Sequence, residues 1–207
     1  MKIINIFFSS FKKYGFKLLT NIFIFEILNL YRFRLADYFA EDPTLKKYEP
    51  YIPSPYYILS LLKEFFYSEN SVFIDFGCGK GRVIKFINSY NNFKEIVGIE
   101  NNLKLKKDLK KIKSNKINIY FKDCNNKKFI KHLSKKYKNK KTILYFYHPF
   151  SEPMINEITN IFLKQHKNNL KVILVGKIKI NRKIQSNFEL NKFQVNPMLT
   201  VYNFKYH

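Results

Sequence analysis

The stretch at residues 72–84, "VFIDFGCGKGRVI", places the strongest constraint on the fold of this chain of 207 residues. An apolar run containing one acid, Asp75, leads into three glycines at alternate positions, and apolar residues then recur at helical spacing. This order predicts a buried strand, a tight loop and a helix. Because glycines let the main chain approach a ligand closely, we expect the loop to bind a ligand.

Strand-like and helix-like segments alternate along the chain that follows. Such alternation predicts an open parallel sheet covered on both faces. Two further segments, "NFELNKFQV" and "LTVYNFKYH", have no long helix between them and predict an antiparallel pair. The predicted fold is α/β: a Rossmann-like, seven-stranded, mostly parallel sheet with a C-terminal antiparallel hairpin and helices on both faces. Strands are predicted at residues 72–76, 95–100, 117–123, within "KTILYFYHPF" and at 170–175.

The chain divides into an N-terminal basic and apolar helical extension, residues 1–47, and a domain, residues 48–207. Charged residues interrupt the first 35 positions, so no uncharged run approaches the about 20 residues that span a bilayer. We expect a helix packed on the domain as a cover; the alternative is a helix lying in a membrane surface. In the Pro-rich segment "YEPYIPSPYYIL", Ser54 is the predicted N-cap of a helix whose first residue is Pro55.

The spacing of the glycines excludes two phosphate-binding loops. A P-loop needs four residues between its glycines and a Lys-Ser/Thr ending, which is absent here. The dinucleotide fingerprint needs a third glycine at the position that Arg82 occupies. A phosphate-bearing dinucleotide is therefore not the expected ligand.

The pattern Asp75-x-Gly77-x-Gly79-x-Gly81 resembles motif I of the class I S-adenosylmethionine-dependent methyltransferases. The resemblance implies S-adenosyl-L-methionine as the cofactor. It implies that Glu100, which ends the second strand, accepts hydrogen bonds from both ribose hydroxyls. Asp123, after the third strand, is implied to contact the adenine amino group. The predicted cofactor-binding residues are Asp75, Phe76, Gly77, Cys78, Gly79, Gly81, Glu100, Asn101 and Asp123.

The resemblance is narrower to small bacterial methyltransferases described by their fold, through "YEPYIPSPYYIL", "DFGCGKGRVI" and the "PF" after the fourth strand. The Tyr- and Pro-containing segment before Gly-x-Gly-x-Gly-Arg is more distantly similar to non-SET protein-lysine methyltransferases. That similarity implies that Tyr48 and Tyr51 line the mouth of the cofactor site. A packing role for both tyrosines is the alternative.

The segment "YHPF" after the fourth strand is the predicted acceptor side, because open α/β sheets bind ligands at the carboxyl ends of their strands. It resembles the Asn/Asp-Pro-Pro-aromatic segment of amino-group methyltransferases, but has His148 in the polar position and one proline. A neutral imidazole can accept a proton near pH 7. The predicted catalytic residues are His148, Tyr147 and Phe150; a turn-capping role for His148 is the alternative.

The chain is predicted to transfer a methyl group to a protein amine, a sugar or a small molecule. Its formal charge of +23 would attract polyanions. Lysines are spread over every predicted helix among many Asn and Ile residues, so we expect the charge to reflect composition rather than function. An RNA methyltransferase and a non-catalytic basic scaffold are the alternatives.

The two cysteines, Cys78 and Cys124, have no companion at metal-ligand spacing, so no metal site is expected. They favour a reducing, cytoplasmic setting. Contact of residues 1–35 with a membrane surface is the alternative for localisation.

Overall fold

The computed structural model describes residues 15–29, 53–66, 70–90, 93–112, 114–147, 150–166, 170–176, 180 and 188–206. The helices are α1 (Phe16–Asn29), α2 (Tyr56–Leu61), α3 (Arg82–Asn88), α4 (Lys106–Leu109), α5 (Lys127–Lys136) and α6 (Glu152–Leu163), with 3-10 turns at Leu62–Phe65 and Leu103–Leu105. The strands are β1 (Ser71–Phe76), β2 (Phe93–Glu100), β3 (Ile117–Phe121), β4 (Thr142–Tyr147), β5 (Leu170–Val175), β6 (Phe188–Gln194) and β7 (Leu199–Tyr206).

The strands form one seven-stranded sheet in the order β3-β2-β1-β4-β5-β7-β6. Strands β1 to β5 pair in parallel, whereas β7 is antiparallel to both β5 and β6. The predicted mostly parallel sheet with a C-terminal hairpin is therefore confirmed. The strand order reverses between β1 and β4, which is where open α/β sheets form a ligand-binding crevice.

Alternation along the central strands divides the apolar core between the two faces of the sheet. Phe73 and Tyr145 face one side, where Leu18 of α1, Leu59 of α2 and Ile84 of α3 pack against the sheet. On the opposite side, residues of β1 and β4 meet α5 and α6 in a second cluster that includes Ile74, Phe76, Leu133, Phe146 and Phe162. Helices lie on both faces, as predicted.

Helix α1 packs on the first of these faces. Leu18 is buried there, and Ile22 and Phe25 pack against the same core. Glu26 carries the polar contact: its carboxylate forms a 3.0 Å ion pair with Arg82 and accepts a 2.6 Å hydrogen bond from the N–H of Tyr56. The predicted domain boundary between residues 47 and 48 lies outside the described residues.

One local prediction was wrong. Helix α2 begins at Tyr56 with Pro55 as its N-cap, and the Ser54 side chain does not cap it. Instead, the hydroxyl of Tyr145 donates a 2.8 Å hydrogen bond to the buried Ser54 Oγ, so a tertiary contact replaces the local one.

The Lys-rich segment after β2 forms only a short helix, with a 3-10 turn followed by the single turn of α4. Lysines four residues apart, Lys106 with Lys110 and Lys107 with Lys111, place like charges on neighbouring turns and disfavour a longer helix.

Candidate functional site

The carboxyl ends of four adjacent strands meet at one edge of the sheet. The glycine loop follows β1, Glu100 ends β2, Asp123 follows β3 and Tyr147 ends β4. In the sheet register Asp75 pairs with Gly98 on one side and with Tyr145 on the other, so it lies in the central strand of this edge. The topology therefore gathers the predicted cofactor and acceptor residues around the reversal of strand order.

The glycine loop has left-handed main-chain geometry at all three glycines, with φ of +71°, +53° and +77° for Gly77, Gly79 and Gly81. Two of them also lie against neighbouring side chains. A Cβ at Gly77 would lie 3.1 Å from the ring of Phe150, and a Cβ at Gly81 would lie 2.3 Å from Cδ1 of Ile112. Any larger residue would strain the loop and displace its neighbours.

The carboxylate of Glu100 fixes the loop from the adjacent strand. Oε2 accepts a 2.8 Å hydrogen bond from the N–H of Gly79, and Oε1 accepts one of the same length from the N–H of Asn102. The residue is buried, with 8% of its surface exposed. Each oxygen keeps a lone-pair direction for a further donor, so the carboxylate is held in place while it can still bind hydroxyl groups.

Asn102 is a residue that sequence reasoning missed. It is buried, and its Oδ1 accepts a 3.1 Å hydrogen bond from the N–H of Lys104, which fixes the turn after β2. The available signal was an Asn two residues beyond a strand end, where such side chains cap turns.

Asp75 is the most unusual group at this edge. It is 2% exposed, and its Oδ2 accepts no hydrogen bond from any residue that the structure describes. Burial, and then the neighbouring negative charge of Glu100, raise the pKa of this carboxyl well above its ordinary value. A buried carboxyl with a perturbed pKa marks a candidate functional site, and a cationic ligand would stabilise its charged form.

Two predicted cofactor residues direct their side chains into the core. The ring of Phe76 stacks on Phe146 with centroids 4.6 Å apart and an interplanar angle of 10°. The thiol of Cys78 is buried against Gly98, and burial raises its pKa well above the ordinary value. At these two positions only the main chain is left to face a ligand, and the N–H of Cys78 is already occupied because it donates a 3.0 Å hydrogen bond to the carbonyl of Ile99.

The outer end of the site is more open. Asn101 and Asp123 are exposed, and Oδ1 of Asp123 accepts a 2.8 Å hydrogen bond from the N–H of Asn125. The adjacent Cys124 is buried, and burial with the negative charge of Asp123 raises its pKa to about 12. Cys124 is therefore a neutral thiol at neutral pH, unsuited to act as a nucleophile.

The predicted acceptor side is described in part. Tyr147 is half-buried at the end of β4, and the ring of Phe150 meets Phe146 edge-on at 6.0 Å while covering Gly77. The structure thus brings Phe150 directly against the glycine loop. His148, together with Tyr48 and Tyr51, lies outside the described residues.

Arg82, where a dinucleotide fold requires glycine, is directed away from the glycine loop. Its guanidinium pairs with Glu26 and lies 4.6 Å above the ring of Tyr56. Sequence reasoning missed this pair. Within the described part of the chain, no group of three His, Cys, Asp or Glu side chains could hold a metal ion.

Comparisons with known proteins find similarity in structure alone. No protein-family model and no curated protein matches the chain. A conserved hypothetical protein from Streptococcus pyogenes matches with a TM-score of 0.53 at 12% identity, over 72% of this chain and 97% of the other. Precorrin 8w decarboxylase from Methanobacterium thermoautotrophicum matches with a TM-score of 0.51 at 14% identity, over 81% and 97%. A SAM-dependent methyltransferase from Anabaena variabilis has a TM-score of 0.48 at 13% identity, over 72% and 82%.

The fold is Rossmann-like, with a seven-stranded, mostly parallel sheet that ends in a C-terminal antiparallel hairpin. The two matches with TM-scores of 0.53 and 0.51 are 12% and 14% identical to this chain, so they show a shared fold and leave the ligand and the reaction to the chemistry of the site.

Proposed function

We propose that the protein is an S-adenosyl-L-methionine-dependent methyltransferase whose acceptor is a protein amine, a sugar or a small molecule. The observation that carries the proposal is the pair of buried carboxyls beside the glycine loop. Asp75 has an oxygen without a described hydrogen-bond donor, and Glu100 is held by two main-chain N–H groups. The Asp75 carboxyl is suited to pair with a cation, and the Glu100 carboxylate is suited to accept hydrogen bonds from a pair of hydroxyls.

The cofactor fits this arrangement by its chemistry. S-adenosyl-L-methionine carries a sulfonium and an ammonium group, whose positive charge would favour ionised Asp75. Its ribose offers two hydroxyl donors to Glu100, and the absence of a side chain at Gly77, which is exposed, lets a ligand approach the main chain closely. When bound, the cofactor supplies a methyl group already activated for displacement, so the protein's task is to position the acceptor.

The residues of this chain would divide that task between two sides of the loop. Glu100 orients the nucleoside and Asp75 stabilises positive charge, while Gly77 and Gly79 allow close approach. Phe150, which packs over Gly77, would contact both the cofactor and an acceptor. We propose His148, the polar residue of the "YHPF" segment, as the group that accepts a proton from the methyl acceptor.

Titration calorimetry with the full chain tests the donor site. S-adenosyl-L-methionine and S-adenosylhomocysteine are expected to bind, whereas NAD is not, because Arg82 replaces the required glycine. Failure of both adenosyl ligands to bind would end the proposal.

Incubation with methyl-labelled cofactor and fractions of the source cell then tests transfer. Phe150→Ala is expected to lose transfer more than cofactor binding. Binding without transfer to any fraction would favour the non-catalytic scaffold.

A nucleic-acid acceptor is the second candidate, favoured by charge near the site. Four exposed lysines lie within the ten residues after Glu100: Lys104, Lys106, Lys107 and Lys110. They would contact phosphates and add to the attraction of the +23 chain. Labelled RNA in the transfer assay distinguishes the two candidates, because an RNA acceptor predicts incorporation that falls steeply with added salt.

A further inference from the structure

Helix α1 has apolar side chains on two opposite sides. Its inner side packs on the domain through Leu18, Ile22 and Phe25. Its outer side leaves five large apolar side chains exposed, which we call the outer stripe: Phe16 (68% exposed), Phe23 (64%), Ile24 (46%), Ile27 (49%) and Leu28 (60%). With 3.6 residues per turn, these positions fall within an arc of about 140°. The fold does not need this outer surface, since the inner side already makes the contacts with the core.

The charge of the helix is as one-sided as its packing. Glu26 is the single acid of α1, and it is turned inward to Arg82 and to the N–H of Tyr56. The outer stripe therefore contains no acid, and the exposed Lys17 lies within its arc. A surface that is complementary to the outer stripe must offer an apolar layer to the large side chains and negative charge to Lys17.

We propose that the outer stripe docks α1 onto a bilayer surface that contains anionic lipid, with the helix lying in the plane of the interface. Large apolar side chains enter the acyl boundary in this mode, while basic residues meet the headgroups. The helix has 14 residues and is about 21 Å long, which is short of the about 30 Å hydrocarbon core. No described helix is long and apolar enough to cross a bilayer.

Charge favours an anionic membrane surface over a second copy of the chain, and the apolar side chains favour it over nucleic acid. A second copy would bring two chains of formal charge +23 together, and their repulsion opposes association. A nucleic-acid backbone offers charge but no apolar layer for the exposed Phe and Ile side chains. The proposal goes beyond the methyltransferase function and does not depend on it.

The absence of Trp from the sequence gives a direct probe of insertion. In Phe23→Trp, the introduced indole reports the environment of the outer stripe alone. We expect its emission to shift to the blue with vesicles of phosphatidylcholine and phosphatidylglycerol, less so with phosphatidylcholine alone, and the shift to weaken with added salt. The matched control is Phe193→Trp on β6, where the native Phe is 50% exposed, and its emission should stay unchanged.

Vesicle flotation of the full chain measures the energetic contribution of the stripe. The double variant Phe23→Ser, Ile27→Ser is expected to lower affinity for anionic vesicles by at least about tenfold, because two large apolar groups no longer leave water. Phe193→Ser should bind like wild type. Thermal melts of all variants should agree, since the substituted side chains are exposed.

Three results would overturn the proposal. They are an unshifted Trp spectrum in Phe23→Trp, equal vesicle affinity of wild type and the double variant, and a dimer in sedimentation that the double variant dissociates.

Discussion

The N–H of Gly79 donates a 2.8 Å hydrogen bond to Oε2 of Glu100, which ties the glycine loop after β1 to the end of β2. We expect Glu100→Gln to disrupt this tie, because an amide nitrogen cannot accept from Gly79 or Asn102. A buried N–H left without an acceptor costs about 1–3 kcal/mol of folding free energy. Thermal denaturation should show this loss of stability. Calorimetry should show that the affinity for S-adenosyl-L-methionine falls by about tenfold or more.

The matched control for that variant is Glu64→Gln, since Glu64 is exposed on the 3-10 turn after α2. Glu64→Gln should change neither the thermal stability nor the affinity for S-adenosyl-L-methionine. An unaltered cofactor affinity in Glu100→Gln would remove Glu100 from the nucleoside site.

We expect the buried carboxyl of Asp75 to lower the stability of the folded protein at neutral pH while it supports cofactor binding. Its pKa is raised by burial and by Glu100, so the folded protein keeps a proton that the unfolded chain loses above about pH 4. Stability contributed by this group therefore falls as pH rises. We expect Asp75→Asn to raise the melting temperature at neutral pH, by an amount that shrinks toward pH 4, and to abolish cofactor binding.

Melting curves across this pH range check whether Asp75→Asn raises the melting temperature. Asp108→Asn, at a half-exposed position, is the control that should show no such gain. A lower melting temperature for Asp75→Asn at neutral pH would show that the carboxylate stabilises the ligand-free fold instead.

Glu26 and Arg82 predict a stability effect that depends on burial. Their ion pair is 3.0 Å long with side-chain exposures of 14% and 3%, whereas the Asp108–Lys111 pair has exposures of 45% and 76%. Glu26→Gln removes the negative charge facing a buried guanidinium and should cost about 3 kcal/mol. Asp108→Asn should cost less than about 1 kcal/mol. Denaturant titration measures both, and equal costs would contradict the difference in burial.

The glycine loop and Glu100 were predictable from sequence because their spacing is local: strand, loop and strand end follow in order. The Glu26–Arg82 pair was not, since 56 residues separate its members and neither lies in a local pattern that identifies the other. Ser54 shows the same limit. Its position before Pro55 predicts a cap, but Tyr145, 91 residues away, takes its hydroxyl.

His166 predicts a loss of stability in acid. It is 1% exposed and lies over Phe162 with centroids 5.4 Å apart. Burial lowers its pKa to about 4, although the nearby main chain of Ser134 and Lys140 partly offsets this. In the unfolded chain the imidazole binds a proton near pH 6.5. As pH falls from there toward about 4, the unfolded state gains protons that the folded state does not, so the free energy of unfolding decreases by about 3 kcal/mol.

We expect His166→Leu to flatten the dependence of unfolding free energy on pH in this interval. The exposed His132→Leu should leave the dependence as it is in the wild type. A slope that persists in His166→Leu would assign the acid sensitivity to other groups.

Strand β7 follows β6 in the chain but lies between β5 and β6 in the sheet, so β6 has no other described partner strand. Strand β6 can join the sheet only through β7, and equal hydrogen-exchange rates for the β6 and β7 amides would show that the two strands detach as a unit. When that unit detaches, β5 becomes an open edge. Apart from Lys171, its sequence "LKVILV" is apolar, and it is rich in β-branched residues and free of Pro and Gly. Exposed edge strands of this composition promote aggregation. The hairpin thus also protects the protein against self-association during partial unfolding.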